Sequence, residues 1–132
     1  NTLVAPSNTG LLISCGSYNS NTGSLAIDSS RGFPRNAVKP DFTAPGVEIL
    51  GPLPRKRSGR KSGTRVSGAI TAGIAALMLE WGIMQKNDMQ INTTRIKNYL
   101  IRGARRDPER IYPNREWGYG QVDLYETFLG IR

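Results

Sequence analysis

Ser62-Gly63-Thr64-Arg65-Val66-Ser67-Gly68-Ala69-Ile70-Thr71-Ala72-Gly73-Ile74-Ala75-Ala76-Leu77 is the stretch from which the fold is read. Gly63 permits a close backbone approach, and Thr64 is an acceptable helix N-cap. From Val66 to Leu79 there is no charge, and Ala69, Ala72, Gly73, Ala75 and Ala76 place small residues on every face. A helix that is apolar all round belongs in a core. The apolar run closes near Trp81-Gly82, before Gln85-Lys86-Asn87-Asp88, which predicts a buried central helix over about 64–82. The run is read as too short and too rich in Gly and Ala to span a membrane. A small-residue loop therefore delivers the chain into the N-terminus of a central helix. Free N–H groups and the positive end of the dipole point outward there, a geometry that presents a nucleophile or binds an anion.

Upstream of that helix, Leu53 to Gly63 is polar, basic and glycine-containing, and reads as a loop edging the same cleft. Val47-Glu48-Ile49-Leu50 follows the Pro45-Gly46 turn and is closed by Gly51-Pro52, predicting a strand over 47–50. Leu11-Leu12-Ile13-Ser14-Cys15-Gly16 is a short apolar run between turn-forming segments, predicting a buried strand over 11–16. Leu25-Ala26-Ile27 reads as a further short strand. Downstream, Asn92-Thr93-Thr94 offers an N-cap, and Ile96, Tyr99, Leu100 and Gly103 recur at helical spacing, predicting a helix over 93–105. Asp107-Pro108 stops it. Val122, Tyr125 and Leu129 supply one apolar face for a last helix over 122–129. Trp117 reads as a packing residue.

With 132 residues and a net charge of +8, the chain is strongly basic. The cations cluster at Arg55-Lys56-Arg57 with Arg60-Lys61, and at Arg102 with Arg105-Arg106. No aromatic residues interleave the first cluster and no nucleic-acid-binding motif accompanies either, so nucleic acid is not the expected partner. The single cysteine, Cys15, excludes an intrachain disulfide and reads as a small buried hydrophobe. There is no histidine, so the chain cannot hold a Ser-His-Asp triad by itself. No metal-ligating cluster, cofactor motif, signal-peptide pattern or internal repeat is expected from the residues.

Three ordered motifs resemble the subtilisin-like serine proteases. Gly63-Thr64 and Ala72-Gly73 stand at the spacing of that family's Gly-Thr-Ser-Met-Ala-x-Pro-His-x-Ala-Gly element. Lys39-Pro40-Asp41-Phe42-Thr43-Ala44-Pro45-Gly46-Val47-Glu48-Ile49 is similar to Lys-Pro-Asp-x-x-Ala-Pro-Gly-x-x-Ile, and Ser29-Ser30-Arg31-Gly32 precedes it. Gly118-Tyr119-Gly120-Gln121-Val122-Asp123 resembles the turn before the family's last helix. The resemblance implies an α/β fold, a subtilisin-like three-layer arrangement of parallel sheet and buried central helix. Residues 1–132 would be the C-terminal part of one such domain, with the aspartate, the histidine and the oxyanion asparagine upstream. It also implies that Thr2, Leu3, Val4 and Pro6 border the substrate groove, and that Asp41 is structural.

The departure from the motif carries the functional expectation. Arg65 occupies the position of the nucleophilic serine. A guanidinium has no lone pair to offer and is not deprotonated in proteins. Ser67 lies two residues on, about 200° round the helix, and would face away from Arg65. Arg65 reads either as a solvent-facing side chain or as an anion anchor in the old cleft.

Leu77-Met78-Leu79-Glu80-Trp81-Gly82, Tyr99-Leu100-Ile101-Arg102-Gly103-Ala104-Arg105-Arg106 and Tyr112-Pro113-Asn114-Arg115-Glu116-Trp117-Gly118-Tyr119-Gly120 are similar to the Csp spore germination proteases of Firmicutes. Active members of that group process the precursor of a spore-cortex hydrolase, while others are pseudoproteases that regulate germinant signalling. The expectation is therefore a regulatory subtilisin-fold pseudoprotease in the outer spore layers or an extracytoplasmic location. Its expected partners are the upstream part of the same chain, another germination protease or the cortex-hydrolase precursor. Two other readings stay open, an active serine endopeptidase and a basic module for an anionic partner.

Overall fold

Two lysines and one aspartate pin the first third of the chain. The computed structural model describes residues 2–7, 9–32 and 37–131. In it Lys39 Nζ donates to the Leu12 carbonyl at 2.7 Å and to Asp41 Oδ2 at 2.7 Å, and Lys97 Nζ donates to the carbonyls of Gly10 and Leu12 at 3.0 Å each. Those carbonyls therefore serve ammonium groups instead of a strand ladder. The strand predicted over 11–16 is displaced for this reason. β1 is Cys15–Tyr18, and Leu11 and Leu12 are exposed.

β2 is Phe42–Pro45 and runs parallel to β1, with Cys15 opposite Phe42 and Tyr18 opposite Pro45. On its other side, Thr43 N–H donates to the Gly120 carbonyl and Val122 N–H donates to the Thr43 carbonyl, so the Gly120–Val122 turn extends the sheet. β3, Ile49–Leu53, and β4, Arg57–Lys61, form an antiparallel hairpin around Pro54-Arg55-Lys56. The sequence predicts a strand over 47–50 and a loop over 53–63. The hairpin corrects both, and Arg-Ser-Gly-Arg-Lys hides β4 because it lacks the β-branched and aromatic residues that mark strands. Leu25 makes only an isolated bridge to Tyr18, and Ile27 is exposed, so 25–27 is not a strand.

α1 is Thr64–Leu79 and continues into a π-helical turn, Glu80–Met84. It packs on β1 and β2. Its buried residues are Ser67, Thr71 and Met78, one stripe along one side. The expectation of a helix buried all round is corrected: Ala69, Ala72, Gly73, Ala76, Leu77 and Leu79 are exposed. Thr64–Met84 is 21 residues long with a mean hydropathy of 1.5, so by length and composition it reaches a membrane span, contrary to the sequence reading. The stripe it buries carries two hydroxyls that are satisfied inside the protein, as expected of a core helix.

α2, Thr93–Gly103, starts at Asn92, whose side chain accepts from Arg95 N–H at 3.0 Å. It buries Ile96 and Leu100. It stops short of the predicted residue 105 because Arg105 and Gln121 exchange backbone hydrogen bonds. α3, Leu124–Gly130, is capped by Asp123, which accepts from Glu126 N–H at 3.0 Å. It starts later than the predicted 122 because Val122 is committed to β2. Its inward face is Leu124, Thr127 and Phe128; Tyr125 is exposed, against the predicted apolar face. Phe42, Ala44, Met78, Ile91, Ile96, Leu100 and Val122 form the core between the sheet and the helices. Trp117 is buried, 6.0 Å from the Tyr18 ring and capped by the Arg110 guanidinium at 4.4 Å.

Candidate active site

The geometry at the start of α1 begins with a glycine pair. Gly63 N–H donates to the Gly46 carbonyl at 2.7 Å, which ties the helix entry to the turn after β2. Gly63 is the N-cap, with φ 141, a backbone that side-chain-bearing residues rarely adopt. This corrects the cap assignment, since Thr64 is the first helical residue. A Cβ on Gly46 would run into the hydroxyls of Ser17 and Ser67 and come within 2.9 Å of the Gly63 carbonyl. Only glycine fits between the sheet and the helix at this point.

Ser67 sits beneath that junction and is fully buried. Its Oγ donates toward the carbonyls of Ala44 and Pro45, each at 3.1 Å. A hydroxyl locked between two backbone acceptors at the end of β2 is a structural pin, unavailable to a substrate. Arg65, two residues earlier and on the other side of the helix, is exposed and makes no hydrogen bond or ion pair among the described residues. No side chain caps the helix and its first turn carries no acid, so the cation at 65 stands against the positive end of the dipole. A carboxylate approaches from outside the helix: Asp28 Oδ2 is 3.8 Å from the position a Cβ would take on Gly63. No sequence motif singles out Asp28. The only signal for it in the sequence is a carboxylate directly before Ser29-Ser30-Arg31-Gly32.

Of the residues expected to border the groove, Thr2 is held by Arg31. Its N–H donates to the Arg31 carbonyl at 2.8 Å, and Arg31 N–H donates to Thr2 Oγ1 at 2.8 Å. Thr2 lines an open hollow of about 490 Å3 with Arg31, Gly32, Asn114, Arg115 and Glu116. Val4 and Pro6 are exposed and Leu3 is half-buried. The two groups of expected site residues are thus served by one segment: Asp28 faces the Gly63 end and Arg31 holds Thr2.

Asp41 lies elsewhere, directly before β2 and between Ser14, Lys39 and Lys97. Its Oδ2 accepts from Lys39 Nζ at 2.7 Å, Ser14 N–H at 2.8 Å and Ser14 Oγ at 3.3 Å, and its Oδ1 lies 3.5 Å from Lys97 Nζ. Burial pulls the Lys97 ammonium below the ordinary lysine range, while the Asp41 charge opposes that shift. Burial pushes the Cys15 thiol above its ordinary range. Among the described residues no group of three or more His, Cys, Asp or Glu is placed to hold a metal ion.

Residues 1–120 match the Subtilase family. The chain belongs to the subtilase family. Its α/β architecture is similar to that of the CspB protease of Clostridium perfringens, at 41% identity and a TM-score of 0.95 over 99% of this chain and 29% of that one. The prenylagaramide maturation protease PagA matches at 23% identity and a TM-score of 0.78, covering 97% of this chain and 45% of that one. The self-cleaved protease domain of PatA matches at 21% identity and a TM-score of 0.75, covering 96% and 44%. These last two share the fold. The chain spans less than a third of the CspB protease and under half of the other two. No curated protein matches it.

Proposed function

We propose that this subtilase chain is the C-terminal part of a pseudoprotease that regulates spore germination, with Arg65 standing where an active member holds its serine. The observation that carries the proposal is the pairing of an exposed Arg65 on the first turn of α1 with a fully buried, doubly bonded Ser67. Covalent peptide hydrolysis requires an activated nucleophile. Position 65 offers none, and the hydroxyl of Ser67, two residues on, is buried and bonded to the carbonyls of Ala44 and Pro45. Absence of histidine from the chain means that any acid–base partner would have to come from further polypeptide. The cleft then works as a binding surface, with another germination protease or the cortex-hydrolase precursor as partner, in the outer spore layers. The 41% identity with the CspB protease supports the branch assignment.

That same similarity to a protease keeps a second reading in view, an active endopeptidase using a hydroxyl other than position 65. A fluorophosphonate label separates the two. The full-length wild-type protein is expected to give no adduct, and Arg65→Ser is expected to restore labelling wherever the rest of the site is intact. Labelling of the wild type would refute the pseudoprotease.

A further inference from the structure

The β3–β4 hairpin concentrates positive charge. Arg55, Lys56, Arg57, Arg60 and Lys61 are all exposed, and Arg65 follows at the foot of the hairpin. Residues 48–65 hold these six cations and one acid, Glu48, so the segment carries a net +5 (6 − 1) of the chain's +8. None of the six takes part in an ion pair among the described residues. The acids that do pair are engaged elsewhere: Asp41 with Lys39 and Lys97, Asp88 with Arg95, Asp107 with Arg110, Glu116 with Arg31. The hairpin cations bond only to backbone carbonyls, Arg60 Nη1 to Glu48 at 2.8 Å and Arg57 Nε to Pro54 at 3.5 Å. Such bonds orient a guanidinium without neutralising it.

Backbone geometry points the same way. Arg55 and Lys56 have φ of 62 and 56, in the left-handed region. Asn and Gly fill such hairpin tips without strain. Two long cations there give up local stability for the placement of charge. β3 and β4 pair only with each other among the described residues. β3 contains Pro52, which lacks an N–H and blunts that edge. β4, with no proline, leaves an open edge flanked by Arg57, Arg60 and Lys61. An extended polypeptide can add to an edge of this kind. No aromatic residue occurs between Phe42 and Trp81, so the hairpin has no platform on which bases would stack.

We infer that the β3–β4 hairpin is the docking surface for an acidic, extended segment of a partner protein, which pairs along β4 and neutralises the exposed cations. The inference rests on the hairpin alone and stands whether or not the cleft is chemically silent. Its test uses the full-length protein and a fluorescein-labelled polyglutamate peptide of about ten residues, long enough to cover a strand of usual length. Binding is read by anisotropy. Arg57→Gln with Arg60→Gln and Lys61→Gln is expected to weaken binding about tenfold or more, as loss of complementary charge does. Arg102→Gln with Arg105→Gln and Arg106→Gln removes the same charge elsewhere and is expected to leave binding within about twofold. Arg55→Asn with Lys56→Gly suits the left-handed tip, so it folds readily. It is expected to weaken binding about threefold or more. No peptide binding by the wild type would overturn the inference, because the surface would then be solvated or covered by its own chain. Equal losses from both triple variants would also overturn it, as would tighter binding of a single-stranded oligonucleotide of equal charge.

Discussion

The ammonium of Lys39 and the carboxylate of Asp41 lie 2.7 Å apart, with side-chain exposures of 1% and 5%. The pair closes the Lys39-Pro40-Asp41 motif on itself and, through Ser14 and the Leu12 carbonyl, fixes the entry to β1. Breaking such a pair leaves a buried charge uncompensated. Asp41→Ala strands both Lys39 and Lys97 and is expected to cost about 3–5 kcal/mol. Lys39→Met is expected to cost less, since Ser14 and Lys97 still serve Asp41. Denaturant midpoints of the two variants in the full-length protein check the order, and equal losses would remove Lys97 from the account.

Gly46 and Ser17 make an opposed pair of predictions. Gly46→Ala drives a methyl into Ser17, Ser67 and the Gly63 carbonyl, and is expected to cost about 1–3 kcal/mol or more as overpacking. Ser17 Oγ is buried with no hydrogen-bond partner among the described residues. An unsatisfied buried hydroxyl is destabilising, so Ser17→Ala is expected to raise stability by about 1 kcal/mol. Thermal unfolding of both variants tests the packing, and a destabilised Ser17→Ala would show that the hydroxyl has a partner in solution.

Cys15 gives a pH dependence. Burial raises its thiol above the usual value of about 8.5. A raised folded value means that the unfolded chain ionises first. The stabilisation is fully present below about pH 8.5 and is lost as pH rises through the folded value. Stability is therefore expected to fall on the alkaline side more steeply in wild type than in Cys15→Ala. Alkylation at neutral pH is expected to be slow until the protein is unfolded. Rapid modification of the native thiol would place Cys15 at the surface.

How much of this was legible in the sequence depended on the kind of residue involved. The α1 segment announced itself, because an uncharged run with small residues at every spacing has few alternatives to a helix, and Asn92 marked the start of α2; the start of α3 after Asp123 was not marked, since Val122 is drawn into pairing with β2. β1 was displaced by two lysine ammonium groups whose targets are backbone carbonyls, which no periodicity reveals. β4 carries no strand signal of its own, because its five polar and glycine residues form a strand through cross-strand pairing with β3, a relation between distant positions. At the start of α1, the opposed facing of Arg65 and Ser67 could be read from helical geometry. Asp28 could not, since its approach to Gly63 is set by the path of residues 26–32 around the sheet.

The exposed side of α1 supports a last prediction. Leu77 is 50% exposed and Met84 75%, with Leu79 and Ile83 also open; Leu77 borders a hollow lined also by Glu80, Trp81, Gln85 and Phe128. Several large apolar side chains exposed along one helix mark a contact face. Under the proposal that further subtilase polypeptide packs on α1, Leu77→Ala in the full-length protein removes a buried side chain and is expected to cost about 2 kcal/mol or more. Were Leu77 at a free surface, the same change would stay within about 0.5 kcal/mol. Residues 1–132 alone are expected to bind a hydrophobic dye and to lack a cooperative transition. A small loss for Leu77→Ala, together with a cooperatively unfolding monomer of residues 1–132, would show that the apolar side of α1 needs no cover.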